Sequence, residues 1–165
     1  MPAALCAAAR WVLGFFVEAF PLATIAVLFL AMARPQPPYC VPSTAVGPIV
    51  SLQELPRELR HELTSHLPDI VDRGESFEAT HVGYGPRRRF IIAAATESRW
   101  VIAYEHGGIG YHIHVLAFDW PGQRESPSLI SNRMSFPDRF CNEINMRLRN
   151  EPIPADRANA QDWNY

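Results

Sequence analysis

Two histidines, His112 and His114, alternate with bulky apolar residues in YEHGGIGYHIHV, residues 104–115. On a strand, side chains two positions apart share a face at about 6.5–7 Å, a separation from which both imidazoles can reach one metal ion. A catalytic zinc site needs a third protein ligand and an open position for water. Glu105, His81 and His106 are the candidates for that third ligand. The same residues suit metal-free acid–base chemistry, with Glu105 and His112 flanking a groove and arginines holding an anionic substrate. A plainer alternative puts His112 and His114 on the solvent side of a hairpin, with the glycines explained by the turn alone. On that alternative no cofactor is expected, and zinc enters only with a hydrolase built on Glu105, His112 and His114.

A second group carries charge. Arg87, Arg88 and Arg89 follow Pro86 and open a strand-like run, so the outer two point to one face and the middle one to the other. With Tyr84 and Tyr111 they could grip an acidic partner protein or an anionic lipid head group, since arginine and tyrosine are common anchors of interfaces. The alternative is a solvated strand end. Cys40 and Cys141 are a disulfide candidate, closing a loop of about 100 residues if the compartment is oxidising. Two buried thiols are the other possibility. No G-x-S-x-G nucleophile turn, phosphate loop or H-E-x-x-H occurs, and neither cysteine has an identifiable basic partner.

The compartment depends on residues 11–33, WVLGFFVEAFPLATIAVLFLAMA, which carry a single charge, Glu18. At 1.5 Å per residue, a helix of this length spans a hydrocarbon core of about 30 Å. A single-pass anchor is the expected form, and a cleaved signal peptide ending at Ala31-Met32-Ala33 is the alternative. Either one exports the remainder, which points to a bacterial inner-membrane protein with a periplasmic C-terminal domain. All 15 basic residues are arginine, a usage that fits a GC-rich genome, and 17 acidic residues leave a formal charge of -2. No basic stripe or tail is present, so a nucleic-acid partner is not expected.

Five prolines in residues 34–48 predict an extended spacer. Leu52, Leu55, Leu59, Leu63, Leu67 and Ile70 then recur at helical spacing, predicting a helix that starts between 52 and 56 and stops before Pro68. Ser51 with Glu54 could form a capping box, or Pro56 could be the first helical residue. His61 and His66 fall on its polar side. From Ser76 the period is two, predicting an antiparallel meander of four strands at 76–82, 88–95, 99–105 and 111–118. A two-residue turn at Gly107-Gly108 would set Tyr104 opposite Tyr111 and Val101 opposite His114. Phe136, Phe140, Ile144 and Leu148 predict a last helix with Pro137 at its first position. Residues 151–165 form a polar tail whose Trp163 and Tyr165 either fold back or serve a partner.

These elements predict one α+β domain over residues 49–150. Both helices are expected on the Trp100/Ile102/Tyr104/Ile113/Val115 face, leaving the other face free. The expected function is that of an anchored, exported binding protein without catalytic activity: an inhibitor, an immunity-type protector or an envelope-complex subunit with a protein partner. The small hydrolase is the alternative. A third possibility is a structural subunit whose Glu18-bearing helix pairs with another membrane helix.

Overall fold

The computed structural model describes residues 39–42, 48–80, 82–121, 126–149, 151 and 163. The expected anchor at 11–33, His81 and most of the tail lie outside the described residues. Among the described residues no helix is long and apolar enough to cross a membrane.

The α+β class stands, with a larger sheet than the sequence suggests. A 3-10 turn at Leu52–Glu54 leads into α1 (Arg57–His66), β1 (Ile70–Val71), β2 (Arg88–Ala95), β3 (Arg99–His106), β4 (His112–Asp119), β5 (Ser128–Ser135) and α2 (Phe140–Leu148). The sheet runs β1-β2-β3-β4-β5, with β1 parallel to β2 and the remaining pairs antiparallel. It is therefore a mixed five-stranded sheet rather than a four-stranded antiparallel meander.

Residues 76–80 are not a strand. Glu78 turns its carboxylate onto the backbone N–H of Thr80 at 3.0 Å and onto its hydroxyl at 2.5 Å. Such a local bond competes with a ladder. The place beside β2 is taken by Ile70 and Val71. On the other edge, β5 escapes recognition because its sequence, SLISNRMS, buries Ser131, Asn132 and Ser135 where apolar residues would signal a strand. Pro137 belongs to the turn before α2, which starts three residues later at Phe140.

The register of the β3–β4 hairpin decides which residues meet. His106 pairs with His112, Tyr104 with His114, Ile102 with Leu116 and Trp100 with Phe118. The connection is thus five residues long, and the expected pairing of Tyr104 with Tyr111 is corrected. Gly107 explains the difference: a Cβ there would lie 1.9 Å from the carbonyl oxygen of Glu78. Gly107 and Gly108 donate instead to the carbonyls of Arg87 and Ala79 at 2.8 and 3.1 Å. The left-handed turn positions are Gly108 and Gly110, with φ of 120° and 82°. The glycines dock the loop against the 78–87 segment as well as turning the chain.

The corrected register also exchanges the faces of β4. Ile102, Tyr104, Leu116, Phe118 and Phe90 pack with Leu52, Leu55, Leu59, Leu63 and Leu67 of the first helical segment. Val101, Ala103, Ile113, Val115 and Ala117 pack with Phe140, Ile144 and Leu148 of α2. A bulge between Phe90 and Ile92 adds Ile91 and Ile92 to this second core. The helices therefore cover opposite faces, and neither face is left free as expected. Leu59, Leu63 and Leu67 are fully buried, each worth about 1.5–3 kcal/mol by transfer.

Two connections close the structure. Cys40 and Cys141 are joined by a disulfide with their Cα atoms 5.3 Å apart. Trp163 folds back to stack on His66 at 4.4 Å and to touch Phe118. The 3-10 turn is held by Asp72 rather than by Glu54: Ser51 Oγ donates to Oδ2 at 2.6 Å and Leu52 N–H to Oδ1 at 2.9 Å. Partial burial raises the Asp72 pKa, but bonds from Ser51, Leu52, Arg73 and Gln53 together outweigh it and leave the carboxyl below its ordinary 3.8. A lowered native pKa contributes stability above the unfolded value and loses it as pH falls through the folded one. Asp72→Asn should lower stability at pH 7 by no more than about 1 kcal/mol, given the exposure of the group. Denaturant titrations should show that deficit shrinking below pH 3.8.

Candidate metal centre

The pairing of His106 with His112 places both side chains on the α1 face of the sheet, and His114, two residues along β4, joins them. Their ligand atoms all lie within 4.8 Å of one another. His112 Nε2 is 2.9 Å from His114 Nε2, and His106 Nδ1 is 3.4 Å from the same atom. His114 is fully buried; His106 and His112 are half-buried.

The orientation of the rings follows from the backbone. His112 Nδ1 sits 2.6 Å from the Gly110 carbonyl. A carbonyl only accepts, so Nδ1 donates its proton and Nε2 is left with a lone pair. His114 Nδ1 donates to Asn132 Oδ1 at 2.8 Å, which leaves its Nε2 bare as well. Tyr104 stacks on the His114 ring at 4.8 Å with an interplanar angle of 3°. Two histidines thus have their outer nitrogens tied to oxygens and their inner nitrogens facing each other. Such outer-nitrogen bonds typically fix the tautomer of metal-binding histidines.

Burial disfavours the charged form of two of the three rings. Burial, then the Arg88 charge and His112, hold the His106 pKa down to about 4. Burial lowers His114 to about 4 too, opposed by its bond to Asn132 and assisted by the other two histidines. His106 and His114 are therefore neutral at pH 7, and a metal ion placed between the facing nitrogens would accept their lone pairs. Nitrogens bound at 2.0–2.1 Å to a tetrahedral ion lie about 3.3 Å apart, close to the two separations observed. The donor set fits a borderline transition metal such as zinc, nickel or copper. His106, His112 and His114 would hold it.

Glu105 lies on the other face, opposite Ile113, and cannot join this set. Its carboxylate is 3% exposed, takes Arg89 Nε at 2.6 Å on Oε2 and the Tyr111 hydroxyl at 2.6 Å on Oε1. The expected pairing of Glu105 with His112 and His114 is thereby corrected. Its cause is the five-residue loop, which reverses the facing of β4 relative to β3.

The arginine cluster is also divided. Arg89 is buried, its guanidinium 4.2 Å above the Phe77 ring and committed to Glu105. Arg88 forms an ion pair with Asp69 on the histidine face. Arg87 is exposed, and Tyr84 is fully exposed. Tyr111 is half-buried by its bond to Glu105, so these five residues do not form one surface as expected. Asn132 and Tyr104, which orient His114, carry no sequence signal of that role, Asn132 because β5 itself is hidden.

Fold and site define an α+β domain, braced by a disulfide, with a cluster of three histidines at the turn end of a central hairpin. No family model matches the chain, and neither a curated protein nor a solved structure does.

Proposed function

We propose that this chain is an exported, membrane-anchored binding protein whose α+β domain holds a transition-metal ion through His106, His112 and His114. The convergence of three imidazole nitrogens, two of them with their outer nitrogens tied to oxygens, carries the proposal. The disulfide between Cys40 and Cys141 supports an oxidising compartment, and residues 11–33 supply the anchor in a bacterial inner membrane with the domain in the periplasm. Binding is favoured over hydrolysis because Glu105, the carboxylate a hydrolase would use as base, faces the opposite core and is committed to Arg89. A protein partner fits the same end of the sheet, where Val82, Tyr84, Ile109, Met134 and Phe136 are exposed.

Competition titration of the full-length chain against a chromophoric zinc chelator tests the metal site. Removing one of three ligands should weaken binding by at least about 100-fold, so His112→Ala and His114→Ala should both fall out of range of the wild type. A wild type that takes up no zinc, nickel or copper defeats the proposal. So does a pair of variants that binds as tightly as the wild type.

A further inference from the structure

The neighbour of His114 on the outer side is a thioether. Met134 pairs directly with His114 across β4 and β5, so both side chains stand on the same face, with Cβ atoms about 4.5–5.5 Å apart. The row across the sheet reads Phe90, Tyr104, His114 and Met134. Tyr104 stacks on one side of the imidazole, and Met134 occupies the other strand.

Met134 is 59% exposed, although apolar residues elsewhere on this face belong to the α1 core. Burial therefore gives no account of it. An unbranched side chain with three rotatable bonds can swing its sulfur over the histidine cluster without moving the backbone. Three histidines fill three positions of a tetrahedral ion and leave one open. A thioether in that position is a soft ligand, which favours monovalent copper over zinc.

We infer that the ion at this centre is copper and that Met134 provides an exchangeable sulfur ligand beside His106, His112 and His114. The inference rests on the metal-binding proposal above and narrows it to one element. No electron transfer is involved: the ion enters as Cu(I) and leaves as Cu(I). The exposed sulfur gives a partner protein with its own soft ligands a point of attack for ligand exchange.

The test is a Cu(I) competition titration of the full-length chain in ascorbate, with zinc titrated in parallel, on the wild type, Met134→Leu and His112→Ala. Leucine keeps the bulk of the exposed side chain and removes only the sulfur. Met134→Leu should lose at least tenfold in Cu(I) affinity while its zinc affinity stays within about twofold. Copper-edge X-ray absorption should show one sulfur scatterer in the wild type and none in the variant. Equal Cu(I) affinity in wild type and Met134→Leu, or a copper shell without sulfur, overturns the inference while leaving a three-histidine site intact. Failure of the wild type to bind either ion overturns both.

Discussion

Replacing Glu105 by alanine is expected to destabilise the domain by about 3–5 kcal/mol, a large share of the 5–15 kcal/mol typical of a small domain. Glu105 and Arg89 are each 3% exposed, and removal of the carboxylate leaves a buried guanidinium with, among the described residues, only a 3.5 Å bond to the Glu75 carbonyl and the Phe77 ring 4.2 Å away. The cost comes from the unpaired charge rather than from a net worth of the pair. The double variant Arg89→Met, Glu105→Leu should therefore recover most of the loss. Urea unfolding of the three proteins measures both effects. Glu105 stands on the face opposite the histidines, so folded Glu105→Ala should keep the metal affinity of the wild type. Loss of metal from a folded variant would return Glu105 to the site and contradict the register described above.

Breaking the disulfide should have a comparable effect. Cys40 and Cys141 are 101 residues apart in sequence, and closing a loop of about 100 residues restricts the unfolded chain by about 4.7 kcal/mol in the loop-entropy account. Cys40 also packs in the α2-side core, which ties the proline-rich segment to α2. Cys141→Ser should lower the unfolding free energy by about 2–5 kcal/mol, seen as an earlier denaturant midpoint. Dithiothreitol should shift the wild type to the same midpoint and leave the variant unchanged. A reductant effect of similar size in both proteins would place the loss elsewhere.

The elements most legible in the sequence are those with an unbroken apolar period. The leucines at 52, 55, 59, 63 and 67 mark the first helical segment, and all are buried. β2, β3 and β4 are visible for the same reason, since each is an apolar run between turn residues. β5 is not, because Ser131, Asn132 and Ser135 occupy its buried positions, and their burial is set by tertiary packing that no local apolar pattern encodes. The pairing of His112 with His114 is legible from their spacing of two. Their partner is harder: Glu105 and His106 are adjacent in the chain and point to opposite faces, so the choice between them turns on loop length alone. Gly107 reads as a turn glycine, and only the close approach of Glu78 shows that it serves packing. That single ambiguity moved the predicted site from one face to the other and left one face of the sheet apparently free.

The histidine cluster is the centre of the functional proposal, and its coordination can be observed directly. X-ray absorption at the zinc edge on the full-length chain loaded with one equivalent of zinc should show nitrogen scatterers at about 2.0–2.1 Å, with the outer-shell pattern of three imidazoles. A shell of oxygens without imidazole would contradict the assignment of His106, His112 and His114 as ligands.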